Sequence, residues 1–85
     1  MEIIKTDSFD RAFKKLPKEI RRLCLVQETR FGDNWRDSRL HIKKVRSLVF
    51  AFSFRITRNY RVFFYFKNNL TAVFFDVDHR KDAYK

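Results

Sequence analysis

The side chains of this chain that could do chemistry gather in its second half. Residues 40–84 read LHIKKVRSLVFAFSFRITRNYRVFFYFKNNLTAVFFDVDHRKDAY: apolar stretches punctuated by arginines, closing on His79, Arg80 and Tyr84. A guanidinium offers a planar fork that fits a phosphate, whereas imidazole and phenol can transfer protons. Aromatic rings beside arginines can stack on bases. If the fold brings these types together on a small basic sheet, they point to a chain that handles RNA.

Length and composition bound the rest. The 85 residues make one domain, 1–85, which can bury roughly 60 to 65% of its unfolded surface around one core. Eleven phenylalanines compensate for the small size, since each ring buries on the order of 150 to 250 Å². The single Cys24 can form no internal disulfide and sits at helical spacing with Ile20 and Leu23, so it is expected in the core. No stretch has the form of a secretory leader or approaches the ~20 apolar residues of a membrane span, so a cytoplasmic location and no membrane are expected.

Twenty Lys and Arg against ten Asp and Glu give a net charge of +10. The excess is uneven: residues 34–75 hold nine basic side chains and one acidic, against eight and six in residues 1–33. Such a concentration serves phosphate contact, a membrane surface or an acidic protein partner. The membrane is the weakest of these because the basic residues fall within strand patterns and form no basic amphipathic helix.

The elements that must position these residues follow from periodicity. Ile3 and Ile4 predict a short first strand. Asp7 or Ser8 can cap a helix carrying Phe9, Phe13 and Leu16, which Pro17 ends while opening a second. Ile20, Leu23, Cys24 and Phe31 line one side of that second helix, and Gly32, Asp33 and Asn34 end it. Residues 32–39 read as a loop. An αα-hairpin therefore precedes a sheet in which Leu48, Phe50, Phe52, Phe54 and Ile56, then Tyr60, Val62, Phe64 and Phe66, form one face by strict alternation. A three-residue loop after Ile56 pairs Arg55 with Arg61. A two-residue turn at Asn68-Asn69 pairs Phe64 with Val73, Val62 with Phe75, Tyr60 with Val77 and Arg61 with Asp76. The expected fold is α+β, with an N-terminal strand and αα-hairpin packed on one face of a small, mainly antiparallel twisted sheet.

That register sets Arg55, Arg61 and Asp76 in a row on the face away from the helices, with Phe63, Tyr65 and Phe74 beside them. An Arg-Asp row on an exposed strand face is ordinarily cross-strand pairing worth ~0.2 to 1 kcal/mol. Its company of three aromatic rings makes a partly apolar, basic surface. On this register Arg61 is expected to be dispensable for folding. His41, Cys24 and His79 have no metal-ligand spacing, so neither a metal nor another cofactor is expected. One glycine excludes a glycine-rich phosphate loop.

The run RITRNYRVFFYF (55–66), preceded by RLHIKKV (39–45) and followed by DVDHRKDAY (76–84), resembles the RelE/ParE superfamily of toxins from bacterial type II toxin-antitoxin pairs. The likeness covers nearly the whole chain. It implies the same order of strand, two helices and antiparallel meander, and a small acidic antitoxin as partner. The RelE-like branch, which we favour, implies a ribosome-dependent endoribonuclease that cuts translated mRNA. The ParE-like branch implies a DNA gyrase inhibitor without nuclease activity.

Through the resemblance, Arg61 corresponds to the arginine that contacts the scissile phosphate, Arg80 to a second one, and Tyr84 to a C-terminal proton-transfer tyrosine. His79 stands where some members carry a catalytic histidine. Lys43 and Lys44, with Arg46, resemble a basic segment that grips RNA, and Arg55 and Phe63 would extend that contact across the sheet. The chain departs from the family at Phe52, Ser53 and Phe54, where RelE has lysines on its central strand, and at Asp78, where a glycine is usual. The implied chemistry needs no metal, because RNA supplies its own 2′-hydroxyl nucleophile. The protein must orient it, accept its proton, neutralise the phosphorane and protonate the leaving 5′-oxygen.

If Tyr84 transfers a proton, Tyr84→Phe keeps a ring that can stack but loses the hydroxyl. Single-turnover cleavage on ribosomes should fall by ~10² to 10⁴ while the melting temperature stays the same; cleavage retained within about threefold removes Tyr84 from the reaction.

Overall fold

The computed structural model describes residues 1–79; Arg80 and Tyr84 lie outside the described residues. Chain order is β1 (Glu2–Lys5), α1 (Asp7–Lys14), α2 (Lys18–Asp33), a 3₁₀ turn (Ser38–Leu40), β2 (Lys43–Lys44), β3 (Phe52–Arg55), β4 (Tyr60–Asn68) and β5 (Thr71–His79). The five strands form one sheet in the order β1-β5-β4-β3-β2. Only β1, parallel to β5, departs from antiparallel pairing. Both helices pack on one face of this sheet, as expected for the α+β class.

Local chemistry explains the helix ends. Thr6 caps α1, one residue before the expected Asp7 or Ser8. Its hydroxyl accepts from Phe9 N–H at 3.1 Å, while its own N–H donates to Phe74 C=O at 3.0 Å. One residue thus ends a strand and starts a helix, leaving Asp7 and Asp10 in the first turn, where the helix dipole favours carboxylates. Pro17 occupies the cap position of α2. Asn34, in extended conformation, closes that helix.

The core is built around phenylalanine. Phe31 of α2 lies 4.9 Å from Phe64 and 5.2 Å from Phe74, edge to face, and 5.4 Å from Phe54, measured between ring centres. Phe9 of α1 adds a contact to Phe74 at 5.7 Å. Leu16, Cys24, Leu40, Ile56, Val62, Ala72 and Val77 complete this cluster. The edge-to-face geometry gains electrostatic attraction beyond the area buried.

The sheet register differs from strict alternation at two places. The last turn closes with Asn68 opposite Thr71, so Asn69-Leu70 form the turn, not Asn68-Asn69. The Asn68 side-chain oxygen accepts from Leu70 N–H at 2.8 Å and holds it there. Irregularities then fall between Phe66 and Asn68 and between Phe63 and Phe64, where the partner steps from Asp76 to Phe74. Phe75 is the extra residue of a bulge, and a bulge reverses which residues face the core. Phe74 is therefore fully buried against the helices, and Phe75 takes its expected place on the other face. Val62 pairs with Val77 and Tyr60 with His79, while Arg61 lies opposite Asp78 and Phe63 opposite Asp76. The three-residue loop after Ile56 holds: Ile56 N–H donates to Tyr60 C=O at 2.9 Å and Arg55 pairs with Arg61.

The expected strand from Leu48 also shortens to Phe52–Arg55. Val45 N–H donates to Ala51 C=O, and Ala51 N–H to Leu48 C=O, so residues 45–51 fold into a tight loop. That loop carries Leu48 and Phe50 away from the core face where alternation placed them. Among the described residues no helix is long and apolar enough to cross a membrane.

Because Phe31 joins three strands to α2, Phe31→Ala should cost about 3 to 5 kcal/mol in urea unfolding. A loss below 1 kcal/mol would mean that the helix is held elsewhere.

Candidate phosphate-binding site

The sheet face opposite the helices carries its own small apolar cluster. Val45, Ala51 and Phe63 are buried there, with Leu48 and Phe75 packed against them. At the loop tip Val49 is 80% and Phe50 58% exposed. The Phe50 ring meets Tyr65 at 5.7 Å and Phe75 at 6.3 Å. Aromatic rings and arginines therefore do share this face, with Phe63, Tyr65 and Phe75 as its members and Phe74 excluded.

Arg61 lies within this face, not on top of it. Only 9% of it is exposed. Its Nε donates to Ser53 Oγ at 2.7 Å, and one terminal nitrogen donates to His41 C=O at 2.6 Å and to Ser53 C=O at 3.4 Å. The expectation that folding does not need Arg61 is thereby corrected. A buried guanidinium requires acceptors, and the acceptors it uses tie β3 and the approach to β2 onto β4. Arg55 faces Arg61 directly across β3 and β4. Its Nε is buried and finds no hydrogen-bond acceptor among the described residues. Two like charges directly opposite each other repel, and a buried donor without an acceptor costs free energy. An anion placed here would relieve both.

The turn leading to β2 is pinned from several sides. Gln27, 5% exposed on α2, donates to Arg39 C=O at 3.0 Å and Arg55 C=O at 2.7 Å, and its oxygen accepts from Arg30 at 2.8 Å. Asp37 starts the turn by accepting from Arg39 N–H at 2.9 Å, and the Arg39 guanidinium holds its carboxyl down to about 2. Being depressed, that carboxyl supports the turn above its ordinary value of 3.8 and loses its contribution as pH falls toward about 2. His41 then adopts a left-handed conformation, φ 48°, the one positive φ among the described residues.

Other expected residues fall around this center or away from it. Lys43 pairs with Ser53 and Lys44 with Phe52, so the two lysines project from opposite faces of the edge strand. Both are exposed, as is Arg46. His79 pairs with Tyr60, its ring 5.1 Å away, and so belongs to the helix-facing side. There it borders a cavity of about 450 Å³ shared with Arg11, Lys15 and Leu16. The register does not bring His79 onto the face of Arg61. Cys24 is buried, and burial, aided by Glu28, pushes its thiol up to about 12, which rules out a thiolate at neutral pH. Sequence reasoning missed Ser53, Gln27 and the His41 carbonyl. Only Ser53 left a signal, as the lone polar residue between Phe52 and Phe54.

Arg61→Ala should therefore lower stability by about 1 to 3 kcal/mol, with Ser53 and His41 losing their donor. Arg55→Ala should change it by less than about 0.5 kcal/mol or raise it. Thermal unfolding of both variants checks this; an Arg61→Ala protein as stable as the parent would overturn the anchoring role.

No protein-family model and no curated protein matches the chain. Solved structures do. The RelBE2 toxin-antitoxin complex of Mycobacterium tuberculosis shares 31% identity over 93% of this chain and 96% of that one, with TM-score 0.66. The RelB-RelE antitoxin-toxin complex of Methanococcus jannaschii shares 25% identity over 96% and 95%, with TM-score 0.76. YafQ of E. coli, at 9% identity over 99% and 98%, superposes with TM-score 0.80, a likeness of fold alone. With 31% identity over nearly the whole of both chains, the chain belongs to the RelE/ParE toxin superfamily.

Proposed function

We propose that this chain is the toxin of a type II toxin-antitoxin pair and that it cleaves translated mRNA on the ribosome. The observation that carries the reading is the Arg55-Arg61 pair, one of whose buried nitrogens has no acceptor among the described residues. Its chemistry fits a phosphodiester: two arginines directly opposite each other on paired strands, with aromatic rings on the same face for bases. Arg61, with Arg80, neutralises the phosphorane, and Arg55, Lys43, Lys44, Arg46 and Phe63 grip the RNA. Tyr84 protonates the leaving 5′-oxygen, a task that suits a phenol better than proton abstraction does at neutral pH. His79, on the helix-facing side of the sheet, takes no part in proton transfer at this face in the proposed reaction. Translated mRNA places the reaction in the cytoplasm.

An acidic antitoxin is the natural partner of a chain with net charge +10. Similar structures are complexes of RelE with RelB and of YafQ with DinJ. The ParE-like alternative has weaker support: a YoeB/ParE toxin of Agrobacterium tumefaciens is similar at 9% identity, which speaks to fold.

On induction, primer extension should map discrete cuts within translated mRNAs, while gyrase supercoiling in extract stays normal. Intact transcripts with inhibited supercoiling would end the nuclease reading in favour of gyrase. In the same strain, association with the antitoxin should slow several-fold between low and high salt, because exposed charges steer the encounter.

A further inference from the structure

We infer that the cleft between the end of α2 and the β4-β5 turn binds an unpaired RNA base, at a second contact away from the arginine face. The inference does not need the nuclease reading: a chain that never cut RNA would bind in the same way. The cleft holds about 430 Å³ and is lined by Met1, Trp35, Arg36, Phe66, Asn68 and Asn69. That falls within the ~300 to 1,000 Å³ range of small-ligand sites. Trp35 and Phe66 pack against the helix-side core, whereas Phe63 belongs to the opposite face. Arg61 and Asn68 stand near the two ends of β4, roughly 20 Å apart along an extended strand.

Two short turns, each held by an asparagine, preform the cleft. After α2, Asn34 Oδ1 accepts from Arg36 N–H at 3.1 Å and Asn34 C=O from Asp37 N–H at 3.0 Å. Trp35 thereby lies at the edge of the core, its ring 4.9 Å from Phe66 and inclined to it by 62°. After β4, Asn68 Oδ1 accepts from Leu70 N–H at 2.8 Å, which leaves the NH2 group of that amide to donate to a ligand. Both rings are half-buried, and Arg36, Asn68 and Asn69 are exposed. The Arg36 guanidinium lies 5.0 Å from the centre of the indole, so the cleft presents a cation–aromatic pair. Bases stack on aromatic rings and on guanidinium planes alike, and polar side chains read their edges. No carboxylate lines the cleft, and all its lining residues except Met1 fall in the strongly basic stretch 34–75. A single cation in the lining gives little hold on an acidic peptide; the rings and amides are the groups that a base uses, and the surrounding charge suits its phosphates.

Trp35 is the only tryptophan of the chain, so its fluorescence reports on this cleft. The full chain is titrated with a 2′-O-methyl tri-adenylate, which lacks the hydroxyl nucleophile and stays intact, and with an abasic trimer of the same backbone and charge. The tri-adenylate should quench Trp35 to saturation and bind at least about fivefold more tightly than the abasic trimer, as stacking of one base requires. Arg36→Ala, at an exposed position, should melt with the parent and lose most of that preference. Phe50→Ala, on the opposite face, should retain it. Equal affinity for the two trimers would reduce the contact to phosphate and overturn the assignment, as would a preference that survives Arg36→Ala. Saturable quenching by the antitoxin with none by either trimer would give the cleft to a protein and overturn it as well.

Discussion

The open face of the sheet depends on the clamp that Phe31 makes on the other side. One ring on α2 reaches three strands, and the rings it meets belong to β3, β4 and β5. In so small a domain, concentrating burial in a few large side chains is the economical way to fix a sheet. It also confines the helices to one face. The opposite face is left to carry a second, smaller cluster and the arginines.

On that face the constraint is polar. Taking a guanidinium out of water is costly unless its donors find acceptors. Arg61 satisfies this with a serine hydroxyl and two backbone carbonyls, drawn from β3 and from the turn before β2. The same contacts that make Arg61 affordable set the plane of its guanidinium and hold the His41 turn in a left-handed conformation. Stability and site geometry are thus coupled through one residue. Gln27 extends the coupling to α2, because its amide bridges Arg39 and Arg55 from the helix side.

Charge acts at a longer range. The basic excess in residues 34–75 is shared by the edge strand, the loop beyond it and the arginine pair. Such a field raises the encounter rate with any polyanion and is screened by salt, so it favours RNA and an acidic protein alike. In the proposed function, discrimination falls to the local arrangement: Arg55 and Arg61 opposite each other on paired strands, rings on the same face and a turn held close beside them.

Much of this was legible in the chain itself. The helical spacing of Phe9, Leu16, Cys24 and Phe31 and the alternation of Phe54, Val62 and Phe64 determined the α+β class, the helix face and the central core, because burial imposes periods of 3.6 and 2. The motifs around Arg61 determined the family. Three things were decided only in the folded molecule. The bulge at Phe75 exchanged Phe74 for Phe75, since one extra residue reverses a strand's faces without disturbing its composition, and together with the displaced turn at Asn69-Leu70 it set Asp78 in place of Asp76 opposite Arg61. The short loop at 45–51 moved Leu48 and Phe50 off the core face through two backbone hydrogen bonds that no side-chain pattern encodes. Arg61 became a buried anchor, and His41 its neighbour, because a guanidinium goes wherever tertiary contacts supply acceptors; here these came from carbonyl groups, which every residue carries and no sequence distinguishes.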